Sequence, residues 1–332
     1  MRIGMTYDLK DDYLAAGFTP DEVAELDSPV TVGAIESALV SQGHAVDRIG
    51  SVGSLVKALA EGRRWDLVFN IAEGMHGLGR EAQVPALLDA WGIPYTFSGP
   101  ELLALTLHKG WTNAVVRAHG VPTADFWIVN ALETVEEIDL PFPLFVKPAA
   151  EGSSKGVSAR SLVRNRKDLR EICTHVLETY RQPALVETFL PGREFTVGLL
   201  GSGRTSRVLG VMEVLSTSDG DQSAYTYANK QDWRDRVRYE VVGDDKALQA
   251  ADVALAAWQA LGCLDAGRVD VRLDAQGRAR FIEVNPLAGL NPESSDLPIL
   301  CHKIGLEYDM LIAQIVESAA RRAKVRGFGA AA

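Results

Sequence analysis

Cysteine is scarce in this chain. Cys173, Cys263 and Cys301 are the only three among 332 residues. No two share a metal-ligand spacing, and an odd, scattered set gives no disulfide framework. Long apolar runs are also missing. None approaches the roughly 18–20 residues of a membrane span, so no membrane partner is expected. The opening MRIGMTYDLK is strand-like and charged, without the long apolar segment of a signal peptide. These absences point to a cytoplasmic protein. Positive charge is in deficit too, with a formal net charge of −10. That argues against nucleic acid or an anionic surface as a partner. It leaves room for a buried basic pocket that holds a small anion. What is present is ordinary for a globular chain: 47% hydrophobic and 23% charged residues. Such a chain can bury a large core without staples.

Residues 1–98 alternate strand and helix signals. Arg2–Tyr7 reads as a strand, followed by a polar, acidic stretch to about Ser28. Val32, Ile35 and Leu39 then recur at helical spacing, and Gly43 is a stop. DLVFNI (66–71) reads as a buried strand and Glu81–Trp91 as a helix. A small α/β unit with a parallel sheet follows from this pattern. Residues 99–183 carry two helical stretches, Pro100–Leu107 and Lys109–His119. Two strands, Phe126–Val129 and Leu144–Lys147, precede the small-residue loop AAEGSSKGV and a helix at about Lys167–Arg181. Residues 184–326 are dominated by β signals in ALVETFL, EFTVGLL and VLGVMEV. A helix over Asp244–Leu261 has Asp244 as N-cap and Gly262 as stop. Its expected apolar stripe is Leu248, Ala251, Leu255 and Trp258. Two strands joined by the turn DAQGR follow, then a last helix at about Tyr308–Lys324. Residues 327–332, GFGAAA, read as a frayed tail.

The chemistry concentrates in the strand pair after that turn-flanked helix. Arg268, Asp270 and Arg272 alternate with Val269, Val271 and Leu273. On the partner strand FIEVNP, Glu283 and Asn285 lie two apart and so share a face. A solvated, charged strand is one explanation. The other is a metal site, because Mg²⁺ takes hard oxygen ligands, commonly one or two carboxylates plus substrate phosphates. Asp270, Glu283 and Asn285 supply that set, and Arg268 could balance charge on a transferring phosphoryl group. Lys109, Lys147 and Lys230 are candidate phosphate contacts. A loop of small residues such as AEGSSKGV lets backbone N–H groups turn toward an anion.

Three other motifs were weighed against this. Gly152–Gly156 matches G-x-S-x-G, but a nucleophile elbow needs a helix next, and VSARSLV reads as a strand. Gly77-Leu78-Gly79-Arg80-Glu81-Ala82 matches G-x-G-x-x-A, yet it follows a long loop rather than a tight turn. No G-x-x-x-x-G-K-[ST] occurs, so a P-loop is unsupported.

Taken in order, FVKPAAEGSSKGVS, LVETFLPGREFTV, GRVDV and FIEVNP resemble the ATP-grasp superfamily, and most closely the D-alanine–D-alanine ligase family. The resemblance runs from about Asp66 to Leu306. It implies an α/β protein, α+β in its ATP-binding part. The fold would be ATP-grasp with an N-terminal Rossmann-like α/β domain (1–98), a central subdomain (99–183) and a C-terminal subdomain (184–326). It also implies roles. Lys109, Lys147 and Lys230 would contact ATP. Glu187 would face the adenine amino group, Leu190 would lie on the segment that bonds the base, and Glu194 would hold the ribose. Ser153 and Ser154 would belong to a mobile catalytic loop over the phosphates. Asp270, Glu283 and Asn285 would bind two Mg²⁺, with Mn²⁺ as a substitute. Arg268 would stabilise the transferring phosphoryl group. Small-molecule carboxylate and amine substrates are implied as partners, and a homodimer is in keeping with the dipeptide ligases.

The substrate residues depart from that family. The family's glycine-pair strand and Ser/Glu loop are replaced by TYDLKDDYLAAGFTPDEVAELDSPV, in which Glu25, Asp27 and Ser28 are equal candidates. Its HG…GEDG loop is replaced by AEGMHGLGREAQ, with Arg80 and Glu81 in the charged positions. The tyrosine after the phosphate lysine is Gln231. Downstream of FIEVNP stands LAGLNPESSDLP, where Gly289, Ser294 and Ser295 are substrate candidates. The expectation is an ATP-dependent carboxylate–amine ligase with a rebuilt substrate pocket. A true D-alanine–D-alanine ligase, a phosphorylating enzyme that stops at the phosphoryl product, and a non-catalytic ATP-binding protein are the alternatives.

Overall fold

The computed structural model describes residues 1–152, 155–216 and 237–325. Three sheets carry the architecture. The first is parallel, in the order β2-β1-β3, from β1 (Arg2–Thr6), β2 (Ala45–Gly50) and β3 (Leu67–Asn70). β3 is buried along its whole length, as expected where helices cover both faces of a parallel sheet. The acidic stretch read as irregular contains a short helix, α1 (Lys10–Ala15). α2 (Pro29–Ser41) starts where Ser28 accepts a hydrogen bond from the Thr31 amide, and α3 (Val52–Ala60) packs near β2. The segment expected as one helix from Glu81 opens instead with a 3-10 turn at Arg80–Ala82. It continues as α4 (Gln83–Ala90).

α5 (Pro100–Leu107) and α6 (Lys109–Ala118) meet at His108, whose ring nitrogen accepts from the Trp111 amide. The second sheet runs β4-β7-β5-β6, from β4 (Phe126–Val129), β5 (Leu144–Pro148), β6 (Leu162–Val163) and β7 (Ala184–Thr188). α7 (Arg166–Thr179) covers it. Two expectations change here. VSARSLV is mostly a 3-10 turn (Ala159–Ser161) closed by reciprocal Ser158–Ser161 bonds, and only Leu162–Val163 pairs as strand. β7 pairs with β4 and β5, so residues 184–188 belong with the central sheet rather than with the strands that follow.

The third sheet is antiparallel, β10-β9-β8-β11-β12. Its strands are β8 (Glu194–Leu200), β9 (Arg207–Ser216), β10 (Val237–Val241), β11 (Ala266–Leu273) and β12 (Ala279–Asn285). α8 (Asp245–Leu261) lies across it, capped by the Asp244 carboxylate and ended by Gly262 at φ 74°. The expected stripe is off by one position. Ala247, Ala250, Ala254 and Ala257 are buried with Trp258, whereas Leu248 is 57% exposed. A stripe of methyl groups lets the helix lie close to the sheet; Leu248 turns outward, while Leu255 packs at the edge of the core. Gly267 is part of the same close approach. A Cβ there would lie 2.5 Å from the Asn285 carbonyl and 2.7 Å from the Trp258 ring.

α9 (Asp296–Lys303) and α10 (Tyr308–Val325) return the chain to the first sheet. Leu311, Ile312 and Ile315 of α10 join Ile3, Met5, Val32 and Ile35 in one core. A polar pin reinforces this junction. Asp265, fully buried, pairs with Arg322 and accepts from the Phe97 amide at 2.7 Å. Arg322 also donates to the Tyr95 and Phe97 carbonyls at 3.1 and 3.3 Å. No helix among the described residues is long and apolar enough to cross a membrane.

Candidate active site

Alternation along β11 and β12 builds the site. Arg268, Asp270 and Arg272 are half-buried between fully buried Val269 and Val271. Asp270 stands opposite Glu283, and Arg268 opposite Asn285. A register shift between Asp270 and Val271 leaves Ile282 as the extra residue of β12. The bulge re-aims the strand locally. Ile282 lines the cleft beside Glu283, while Phe281 and Val284 are buried.

The cleft between the second and third sheets has a volume of about 120 Å³. Phe145, Phe189, Leu190 and Ile282 give it apolar walls that can sandwich a flat heterocycle. Its charges are paired. Lys147 Nζ lies 2.8 Å from Glu187, and Asn113 donates to the other Glu187 oxygen at 2.9 Å. Burial alone would depress the Lys147 ammonium, but Glu187 and the more distant Glu283 outweigh it and hold the lysine above its ordinary range. Lys109 Nζ lies 3.3 Å from Glu283 and also donates to the Glu151 carbonyl. Arg272 lies 3.2 Å from Glu194 and over the Phe189 ring. Lys155, passed over in the sequence, lines the cleft and pairs with Glu151 at 3.2 Å. Thus Lys109, Lys147, Glu187, Leu190, Glu194, Asp270 and Glu283 converge on one cleft. Lys230, Ser153 and Ser154 lie outside the described residues.

The oxygen donors suit a nucleotide-bound Mg²⁺. Asp270 and Glu283 are cross-strand partners, and Thr196 orients Asp270 with a 2.8 Å hydrogen bond. The Asn285 side-chain amide is buried with its nitrogen unpartnered. No group of three or more His, Cys, Asp or Glu side chains among the described residues forms a closed metal cage. An open set with few protein ligands is what a metal shared with phosphates requires.

A second, larger cavity of about 630 Å³ adjoins the cleft. Lys109, Tyr239, Arg268, Glu283 and Asp296 line both. Its other charged lining residues are Glu25, Asp27, Glu73, Glu81 and Lys10, set among apolar and neutral side chains. Arg80 bonds Glu25 at 2.6 Å and the Ala150 carbonyl at 3.3 Å, so it ties the N-terminal loop to the small-residue loop. Burial pushes Asp27 up to about 7, against Lys10 and with the help of Asp8. Burial also pushes Glu81 up to about 7, partly offset by Arg80, and raises Glu73 well above the usual carboxylate range.

Gly289, Ser294 and Ser295 all line this chamber. Ser295 is occupied structurally, since its hydroxyl accepts from the Asn291 amide at 3.0 Å. Ser28 is likewise the cap of α2. Glu73 and Asp296 were missed in the sequence. Glu73 follows β3, and ligands of open parallel sheets gather beyond the carboxyl ends of strands. Asp296 begins α9 directly after Ser295, a helix-start signature.

Residues 115–317 match the family model of the D-Ala–D-Ala ligase C-terminus. The chain belongs to the D-alanine–D-alanine ligase family. It is 34% identical over 296 residues to the D-alanine–D-alanine ligase of Acidiphilium cryptum, covering 87% of this chain and 92% of that one. It is 30% identical over 321 residues to the corresponding ligase of Actinobacillus pleuropneumoniae, covering 94% and 99%. The fold matches the Bacillus anthracis D-alanine–D-alanine ligase crystallised with ATP, with a TM-score of 0.74, 21% identity and coverage of 98% and 99%. As a member of this family the chain is an ATP-dependent ligase. The architecture expected from the resemblance, ATP-grasp with an N-terminal α/β unit, is therefore the one observed.

Proposed function

We propose that this ligase activates a substrate carboxylate as an acyl phosphate and joins it to an amine, and that its product is not D-alanyl-D-alanine. The observation that carries the reading is the shared wall. Lys109, Arg268 and Glu283 face both the nucleotide cleft and the acidic chamber. A γ-phosphate held at one side can there meet a carboxylate held at the other.

In the first step a carboxylate oxygen attacks the γ-phosphorus and ADP leaves. In the second, the amine nitrogen attacks the acyl carbon, phosphate leaves, and the nitrogen loses its extra proton. Phosphorylation is needed because a free carboxylate would have to expel oxide. Positioning and charge neutralisation supply most of the catalysis. Lys109 and Lys147 hold phosphates, while Glu187, Leu190 and Glu194 seat the nucleoside. Asp270, Glu283 and Asn285 would hold Mg²⁺, which supplies charge neutralisation on the phosphates. Arg268 steadies the transferring group. Ser153, Ser154 and Lys230 complete the phosphate side by family resemblance.

The acidic chamber supports ammonium-bearing substrates, with Glu25, Asp27, Glu73 and Glu81 as counter-ions. Arg80 and Glu81 shape the donor side, and Gly289 and Ser294 the side near α9. A cytoplasmic setting fits an ATP-consuming reaction, and a homodimer fits the family.

The test is a matrix of carboxylates and amines incubated with enzyme, ATP and Mg²⁺, followed by ADP release and product mass. ADP release that needs both substrates, with the mass of a new amide, is expected. A stable phosphorylated acid as final product, or ATP binding without turnover across the matrix, would overturn the reading.

A further inference from the structure

Asn113 stands behind Glu187 at the wall of the cleft. It is fully buried in α6, one turn after Lys109. Its Nδ2 donates to Glu187 Oε1 at 2.9 Å, while Lys147 Nζ lies 2.8 Å from the other carboxylate oxygen. Its Oδ1 is buried without a hydrogen-bond partner among the described residues. The amide cannot be turned round, because Oδ1 would then face a carboxylate, which only accepts.

A buried acceptor left unpaired is a cost to folding and calls for a reason. A residue that served packing alone would be apolar at this position. The amide is therefore retained for its donor, and what the donor fixes is one side chain.

The Glu187 backbone is already held. It lies on β7, opposite Phe126 of β4 on one side and Phe145 of β5 on the other. Its carboxylate lines the cleft together with Phe145, Phe189 and Leu190. Lys147 alone would let that carboxylate pivot about one oxygen. A second donor on the second oxygen, from a different element, sets its orientation. Gly110 lets α6 lie close enough to supply it, since a Cβ there would be 2.7 Å from the Ile128 side chain of β4.

An ionised carboxylate has acceptor sites to spare and no donor. Beyond Asn113 and Lys147, a fixed Glu187 can accept from an amino group on a base, and it opposes a ring carbonyl in the same place. So oriented, it favours a purine with an amino group at position 6 over one with an oxygen there. A site built to bond one polar group discriminates strongly against its replacement.

We infer that Asn113 is a positioning residue that sets the base selectivity of the nucleotide cleft, acting through Glu187. It is not itself a contact of the base. This rests on the nucleoside seat proposed above and deepens it.

The test uses the whole enzyme with Mg²⁺ and two diphosphates, ADP and IDP, which carry 6-amino and 6-oxo purines and are not turned over. Binding is measured by calorimetry. Wild type should bind ADP roughly ten- to hundredfold more tightly than IDP, the range for a hydrogen bond to a charged group. Asn113→Leu, close in volume, and Asn113→Ala, as a second variant, should cut that ratio by about tenfold, chiefly through lost ADP affinity. In a Glu187→Gln background the same substitutions should leave the ratio unchanged, as expected of a residue that acts through another. An unchanged ratio in both folded single variants, with or without an equal loss of affinity for the two nucleotides, would overturn the inference and leave Asn113 a merely structural residue. A further drop in the Glu187→Gln background would overturn it too, since Asn113 would then act on its own. Equal binding of the two diphosphates by wild type would overturn the inference while leaving the ligase reading intact. Binding of neither by wild type would overturn the inference and the nucleotide seat together.

Discussion

The nucleotide cleft and the substrate chamber share one wall but differ in how their charges are kept. In the cleft, four inward-facing cations are matched to a carboxylate at 2.8–3.3 Å: Lys147 to Glu187, Arg272 to Glu194, Lys155 to Glu151 and Lys109 to Glu283. In the chamber, carboxylates outnumber cations, and burial pushes Asp27 and Glu81 up to about 7. On the proposed reading the first arrangement suits a polyanion, whose phosphates would rearrange the existing pairs. The second gathers carboxyl groups that burial biases toward the neutral form.

The largest effects should come from the cleft. Asp270→Asn or Glu283→Gln should lower kcat/KM by roughly 10²–10³, the scale of removing one preorganised electrostatic group. The unfolding midpoint should change little, because both side chains line the opening rather than the core. Near-wild-type turnover would remove the metal assignment.

Lys147→Ala comes next. It leaves Glu187, 4% exposed, without its cation. Breaking a buried pair in this way costs about 3–5 kcal/mol, visible in denaturant unfolding. Lys147→Met combined with Glu187→Gln should recover part of that loss. If Lys147→Ala proves as stable as wild type, the cleft is not preset in the sense argued here.

The chamber should respond to pH where the cleft does not. A carboxyl raised to about 7 is ionised above that pH and protonated below it. Affinity for an ammonium substrate should fall by about tenfold per pH unit below 7 for each group that must ionise. Mg-ATP affinity should stay level across the same range, since the Lys147 ammonium is held above its ordinary range. Equal pH profiles for the two ligands would erase the contrast.

The smallest effect concerns the substrate-free protein. With Asp27 raised, the folded chain holds a proton that the unfolded chain releases between about pH 4 and 7. Stability should therefore fall as pH rises through that window. Asp27→Asn should remove this fall and stabilise the free protein at pH 8 relative to pH 4. It should change nothing at pH 4. An unaltered pH dependence in the variant would mean that Asp27 is not buried as a charge.

The same contrast explains what could be read from the sequence. The cleft is written in contiguous strings, because a strand that points alternate residues at a ligand must keep them two apart. GRVDV and FIEVNP therefore declared Arg268, Asp270, Glu283 and Asn285 together. Even there the bulge that puts Ile282 beside Glu283 has no local signal. The chamber is assembled from residues 10–31, 73–81 and 285–297, which no local pattern connects. Arg80 and Glu25 are 55 residues apart, and Arg268 and Asp296 are 28 apart. The alanine face of α8 was misread for a related reason. Leucine is the stronger apolar signal, but alanines and Trp258 fill the face against the sheet.

The most direct test of the central claim, a family nucleotide cleft joined to a rebuilt substrate chamber, is steady-state ADP release with ATP, Mg²⁺ and D-alanine as the sole amino acid, with the product weighed. The account predicts saturable Mg-ATP binding but little ADP release and no D-alanyl-D-alanine. Rapid, D-alanine-dependent ADP release with stoichiometric D-alanyl-D-alanine would contradict it.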